Sequence, residues 1–250
     1  MEALLEVESI TKHFGALVVL EDLNLVVAPG QAVGIVGPNG AGKTTALDIV
    51  AGDLAPSSGQ VRLGGRDVTR LAAHTRCRLG VGRTAQIPRP FEGLTVFENV
   101  LVGATFGAER RRGTVIREAA AVDALELTGM LGVANRLAGT LTLLDRKRLE
   151  LSRALATQPR LLLLDEIAGG LTEVEVMKLV AVIKEIRATG VAIVWIEHIV
   201  HALLSVVDRM LALDYGRTLL EGDPHEVMAS PEVQAVYLGT EPLPLTGETF

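Results

Sequence analysis

The stretch GPNGAGKTT, Gly37 to Thr45, limits what this chain can fold into more than any other. It fits G-x-x-x-x-G-K-[ST] through Gly37, Gly42, Lys43 and Thr44, and joins the apolar run AVGIV to a segment of helical character from Lys43 to about Ala51. Strand, glycine-rich loop and helix follow in the order that brings backbone N–H groups together on a polyphosphate at a helix N-terminus. Gly37, Pro38, Asn39, Gly40, Ala41, Gly42, Lys43, Thr44 and Thr45 are therefore the candidate phosphate contacts. Among them Lys43 can neutralise the outer phosphates and Thr44 can offer its hydroxyl to Mg²⁺. A glycine-rich turn matching by accident would need neither flank.

A second apolar run, LLLLDE at 161–166, ends in two acids. Buried strands often stop at an acid, so the run says little alone. Behind a phosphate loop it gains meaning: Asp165 is placed to hold Mg²⁺ through water, and Glu166 to act as base for a water in line with the terminal phosphate. Such a base contributes typically about 10²–10⁴-fold in rate.

With 48% hydrophobic and 22% charged residues, the 250-residue chain has the composition of a folded globular protein, one large domain or a core with a satellite. Apolar runs such as VAIVWI at 191–196 fall far short of the roughly 20 residues a membrane-spanning helix needs. The start, MEALLEVESI, lacks the basic flank and apolar region of a secretory signal, so a cytoplasmic location is expected. A net charge of −6 disfavours a nucleic-acid partner. The basic clusters Arg110 to Arg112 and Arg146 to Arg148, with Lys147 inside the second, read as solvated faces. Cys77 has no second cysteine to pair with and no base or metal-ligand pattern around it, which suits a reducing compartment and no nucleophilic role.

Strands are expected at LLEVESI, LNLVVA and QAVGIV, with a Pro-Gly break at 29 and 30, and a further short one at QVRLGG after the turn APSSG. From about 90 to 157 the apolar spacing becomes helical, in TVFENVLVGA, IREAAAVDALELTGM and DRKRLELSRALA, as in an inserted helical subdomain. RLLLLDE, a helix over 173–188 closed by Gly190, and VAIVWIE then give strand, helix, strand with runs too continuous for a one-sided sheet, so a parallel sheet covered on both faces is expected. RMLALDYGRTLLEGD reads as a hairpin around Asp214, Tyr215 and Gly216, and only the tail 241–250 looks loose.

With these motifs in hand, the chain resembles the nucleotide-binding subunit of ATP-binding cassette (ABC) transporters from about residue 4 to 239. The resemblance implies an α/β P-loop NTPase fold of the ABC type: one domain over 1–240, with a mostly parallel core sheet, an N-terminal antiparallel β subdomain and the helical insert. It implies ATP and Mg²⁺ as cofactors. Phe14 in TKHFGAL matches the aromatic that stacks on adenine, although a lone Phe in a strand would more simply be core. Gln86 in GRTAQIPRPF matches the loop glutamine that senses metal and attacking water and links the site to membrane subunits. His198 in WIEHIV matches the switch histidine on the terminal phosphate. AGGLT, 168–172, occupies the loop that reaches the second subunit, with Thr172 where an acid is common. Several phrases look like the ATPases of branched-chain amino acid importers: LTVFENVLVGA, RKRLELSRALATQPRLLLLDE, EHIVHALLSVVDRMLALDYGR and VYLG. That likeness implies peripheral attachment at the cytoplasmic face, permease subunits as partners, an external solute-binding protein acting indirectly, and uptake of a small solute, branched-chain or other hydrophobic amino acids.

One element departs from the family. Its contact motif, Leu-Ser-Gly-Gly-Gln, falls on Leu141, Thr142, Leu143, Leu144 and Asp145. In the family this element closes over nucleotide held by the other subunit, so the departure touches the partner's site first. Thr142 keeps a hydroxyl at a helix start, where Asp145 three residues on is expected to complete a capping box. What is lost is bare backbone for close approach, and Asp145 adds a negative charge near the phosphates. The expectation is a heterodimer with an ATPase chain carrying an ordinary contact motif, a homodimer being the alternative. The rival readings are a poorly hydrolysing regulatory cassette and a non-transport ABC ATPase.

Overall fold

The computed structural model describes residues 3–107 and 113–238, so the Arg110 to Arg112 cluster and the 241–250 tail lie outside the described residues. The chain opens with β1 (Leu5–Phe14) and β2 (Leu17–Val27), both longer than LLEVESI and LNLVVA suggest. Register shifts between Val7 and His13 break the alternation, and beyond them Phe14, Leu17 and Val18 stand exposed. A period of two in the sequence therefore reveals only one end of each strand.

Next come β3 (Ala32–Val36), α1 (Lys43–Ala51), β4 (Ser58–Leu63), β5 (Arg66–Asp67), α2 (Ala73–Arg78) and β6 (Val81–Arg83). Three helices follow, α3 (Val96–Phe106), α4 (Thr114–Leu127) and α5 (Leu143–Ala156). The chain then runs through β7 (Leu161–Asp165), α6 (Glu173–Ala188), β8 (Ala192–Ile196), α7 (Val200–Leu204), β9 (Arg209–Asp214), β10 (Arg217–Gly222), α8 (Pro224–Ala229) and α9 (Pro231–Leu238).

The first sheet is antiparallel, in the order β2-β1-β4-β5, and the second runs β10-β9-β3-β8-β7-β6 with only the edge strand β10 antiparallel. Every residue of β3, β7 and β8 is buried, which requires a cover on both faces. Alternate side chains divide between two cores. Val33, Leu163 and Val194 pack with Leu47 of α1 and Leu20 of β2, whereas Leu162, Leu164 and Trp195 share a core with Val100, Leu125 and Leu149 of the three-helix block.

Two elements unread in the sequence, α2 and β6, lie beside α1. Arg76 of α2 is 1% exposed and explains why: its Nη1 donates to the Ile49 and Val50 carbonyls at 2.6 and 2.9 Å, satisfying the C-terminus of α1. A charged side chain spent in this way hides a buried helix from a hydrophobicity scan. The β9–β10 hairpin is as expected, Asp214 pairing with Arg217 across Tyr215 and Gly216 at φ 43° and 78°. Its tip is braced on the phosphate loop, for Gly216 N–H donates to the Ala41 carbonyl at 3.1 Å.

The start of α5 corrects one expectation. Thr142 Oγ1 accepts from Asp145 N–H at 3.2 Å, but Asp145 does not close the box and its carboxylate lies 3.8 Å from Arg148. An aspartate is a methylene too short for the return bond that Glu98 makes to Thr95 N–H at 2.7 Å, at the start of α3.

Candidate functional site

The loop between β3 and α1 is shaped by its glycines. A Cβ on Gly37 would stand 2.2 Å from the Leu213 carbonyl, and one on Gly42, at φ 97°, would stand 2.7 Å from Val19 O and Leu20 Cδ2. No other residue allows that approach of the loop to β9 and β2. Lys43 is 5% exposed, and its Nζ donates to the Gly37 and Pro38 carbonyls at 2.8 and 2.9 Å. Burial lowers its pKa, while the charges of Glu166 and Asp165 oppose that shift. Asn39, Gly40, Lys43, Thr45 and Glu166 line one cavity; Thr44 borders it and also a neighbouring cavity of about 430 Å³ that holds Gln86 and Asp165.

Asp165 ends β7 and is 2% exposed. One oxygen, Oδ2, accepts from Arg83 Nη2 at 3.1 Å; the other, Oδ1, is buried without a hydrogen-bond partner. Burial raises the carboxyl's pKa against the pull of Arg83. Asp165 lines the cavity that Thr44 borders, and a carboxylate oxygen without a partner has the donor chemistry a hard cation such as Mg²⁺ takes. Among the described residues no group of three or more His, Cys, Asp or Glu could hold a metal unaided, so a cation here would need oxygens from a bound phosphate as well.

Glu166 takes φ 45°, and its N–H completes the ladder to the Ile196 carbonyl at 2.9 Å. The turn brings together three residues singled out in the sequence. Gln86 Nε2 donates to Glu166 Oε2 at 2.6 Å, and His198 Nε2 lies 2.8 Å from Glu166 Oε1. A carboxylate held at both oxygens, beside the phosphate loop and one residue beyond the buried Asp165, can orient a water and take its proton.

The remaining expected residues lie around this centre. Phe14 ends β1 with its ring half exposed, so it is not a core residue, and Lys12 Nζ stands 4.9 Å above the ring. Thr142 and Leu143 are exposed at the start of α5, and a Cβ on Gly170 would touch Leu143 at 3.3 Å. Thr172 donates through its N–H and hydroxyl to Glu175 and so begins α6. Burial pushes the Cys77 thiol up, away from thiolate character.

Four residues near the site were not singled out in the sequence. Arg83 bridges Asp165, Asp48 and Asp53, at 3.1, 2.6 and 2.8 Å. Lys147, read as part of a solvated face, is 4% exposed: α5 turns it inward, where Nζ donates to the Gln86 carbonyl at 2.9 Å. Glu197 is 2% exposed, and among the described residues it is bonded only to backbone N–H groups, those of Ala168 and His198. Tyr237 of α9 accepts from Gly37 N–H at 2.9 Å. Only Glu197 left a trace in the sequence, an apolar strand ending in an acid as β7 does.

Residues 20–169 match the family described as ABC transporter, and 217–242 the one described as Branched-chain amino acid ATP-binding cassette transporter. The chain is 36% identical to the high-affinity branched-chain amino acid transport ATP-binding protein BraF of Pseudomonas aeruginosa, over 94% of this chain and 98% of that one. It is 35% identical to the lipopolysaccharide export system ATP-binding protein LptB of Acidithiobacillus ferridurans, over 96% and 99%. Its fold is similar to the crystal structure of the ADP conformation of an ATP-binding cassette of an ABC transporter, with TM-score 0.87 and 27% identity over 96% of this chain and 100% of that one.

Proposed function

The chain belongs to the ABC transporter family and is an ATP-hydrolysing transporter subunit, and from that premise we propose that it powers uptake of branched-chain or other hydrophobic amino acids. The observation that carries the catalytic part of this reading is the Glu166 carboxylate gripped by Gln86 and His198 at the edge of the phosphate loop. In this reading Gly37 to Thr45 cradle the phosphates of ATP and Lys43 leaves its loop carbonyls for the outer oxygens. Phe14 stacks on the adenine. Thr44, Asp165 and Gln86 would hold Mg²⁺, which when bound would supply charge neutralisation at the phosphates. Glu166 accepts the proton of the attacking water, and His198 orients both Glu166 and the terminal phosphate.

The permease subunits would dock in the groove between the three-helix block and the sheet. Its floor includes Val81, Cys77 and Ala154, and Phe106 on its rim is 66% exposed. The segment that follows Gln86 is tied to α5, with Arg89 N–H donating to Glu150 at 3.0 Å and Arg153 donating to the Arg89 carbonyl at 3.0 Å. Closure of two cassettes on ATP would move α5 and hence this segment, passing the motion to the membrane subunits. Leu143, exposed where the family has glycine, favours a heterodimer whose second ATPase brings an ordinary contact element to this chain's site.

Uptake of amino acids draws support from the match over 217–242 and from BraF; LptB, nearly as similar, is the reason to test it directly. Glu166→Gln should trap ATP without turnover, and wild-type hydrolysis by that variant would exclude Glu166 as the base. Purification with the permease subunits, followed by a screen of solutes and their binding proteins for stimulated ATPase, tests the cargo. Stimulation by a lipid and by no amino acid would overturn the importer reading.

A further inference from the structure

Strands β7 and β8 leave the sheet side by side, Asp165 paired with Ile196, and the next residue on each is an acid, Glu166 and Glu197. Their surroundings differ. Glu166 borders the phosphate-loop cavity, and its side chain is 20% exposed. Glu197 is 2% exposed, and both its oxygens are used within the protein. Oε2 accepts from the Ala168 N–H at 3.0 Å, and Oε1 accepts from the His198 N–H at 2.9 Å. Ala168 lies two residues past Glu166, in the turn by which the chain leaves that carboxylate. One buried carboxylate thus ties the backbone that carries Glu166 to the backbone that carries the imidazole.

A carboxylate buried this deeply is costly unless its oxygens are hydrogen-bonded and its charge is balanced. The two N–H groups meet the first need. Lys147 contributes to the second: desolvation lowers its pKa, while Glu197, Glu166 and Glu150 hold it toward the charged form. Through its bond to the Gln86 carbonyl, Lys147 anchors the backbone of the other residue that grips Glu166. Both side chains that grip Glu166 therefore rest on a buried charge behind the site.

We propose that Glu197 is a positioning residue for ATP hydrolysis, fixing His198 against Glu166 so that imidazole and carboxylate meet at the distance the terminal phosphate and its water require. The inference rests on the reading of Glu166 and His198 as the hydrolytic pair. Glu197 touches no nucleotide in this scheme, so its loss should slow the chemical step and leave nucleotide binding alone; misplacing a reacting group by about 1 Å can cost about 10²-fold. Glu197→Gln keeps the shape but puts an NH₂ against one of two N–H donors, so one of the two ties must fail.

The test is a double-mutant cycle on the complex purified through a tag on this chain. ATP hydrolysis and ADP affinity are measured for wild type, E166Q, E197Q, H198A and E197Q/H198A. E197Q is expected to lower kcat about tenfold or more with ADP affinity within about twofold, and the double variant to be no slower than H198A alone. A double variant slower by the product of the single losses, or E197Q with wild-type kcat, overturns the proposal. Wild-type rates in E166Q, or no hydrolysis by the wild-type complex, would overturn the reading beneath it instead, and this proposal with it. Should E197Q fail to fold, E197D, which keeps the charge but is a methylene too short to reach both the Ala168 and the His198 N–H, replaces it in the same cycle under the same criterion.

Discussion

His198 and Glu166, 32 residues apart in the chain, meet at 2.8 Å between imidazole Nε2 and carboxylate Oε1. With Gln86 on the other oxygen at 2.6 Å, the carboxylate is held at both oxygens, preorganised for the proposed role of base. Gln86→Ala removes one of these two grips while the Lys147 bond, made to the Gln86 backbone, stays in place. The expected result is a fall in kcat of about 10²-fold with nucleotide affinity within about twofold, the pattern of a group that acts mainly in the transition state. A raised KM at unchanged kcat would show instead that Gln86 serves ground-state binding.

Arg83 is the sole hydrogen-bond donor to the buried Asp165 among the described residues, and it also holds Asp48 and Asp53. Arg83→Gln should destabilise the chain by about 3 kcal/mol, since it leaves a buried carboxylate without its partner. It should also enlarge the stabilisation gained from MgATP relative to wild type, because a cation at the free Oδ1 would then replace the missing charge. Thermal melts with and without MgATP check both. Unchanged stability together with an equal nucleotide shift would mean that Arg83 is a surface bridge of little consequence.

Much of the candidate site was legible because the proposed chemistry needs particular residue types at fixed spacing: glycines where the loop passes within Cβ distance of β9 and β2, a lysine at the helix start, an acid pair at a strand end. Asp165 and Glu166 could be placed at the end of a buried strand because a run of leucines announces one. Arg76, Lys147 and the half-buried Arg83 were missed for the opposite reason, since charged side chains turned inward look like surface until their partners are known. Tyr237 could not be found locally, for its partner Gly37 lies 200 residues away. The far ends of β1 and β2 escaped because bulges erase the alternation that marks a strand.

The altered contact element divides into a replaceable residue and a structural one. Leu143 is 43% exposed, whereas Leu144 is 7% exposed and belongs to the core with Leu149 and Leu151. Leu143→Gly should cost no more than about 1 kcal/mol, the helix propensity difference. Leu144→Gly should cost at least the roughly 2–5 kcal/mol of a buried Leu→Ala change, because it loses side-chain burial and adds backbone freedom. Denaturant titration of the two variants decides this. Losses of no more than about 1 kcal/mol in both variants would show instead that Leu144 is as replaceable as Leu143.

Tyr237 of α9 supplies the acceptor for Gly37 N–H, while the carbonyl of the same residue accepts from Lys43. Both sides of the Gly37 residue are thus held, one by the C-terminal helix and one by the lysine. Burial raises the Tyr237 phenol pKa, the hydrogen bond from Gly37 opposing the shift, so the hydroxyl stays protonated across the physiological range. Tyr237→Phe keeps the ring and removes only the acceptor, which should cost about 1 kcal/mol and lower Tm by about 2–4 °C in a chain of this size. The ring is 37% exposed, so water can take over part of the bond and the loss should lie at the low end of that for a fully buried donor. Amide exchange gives the sharper reading, because the Gly37 N–H should exchange faster in the variant while the amides of β3 stay as protected as in wild type. Equal exchange at Gly37 in the two proteins would mean that the loop is held without the C-terminal helix.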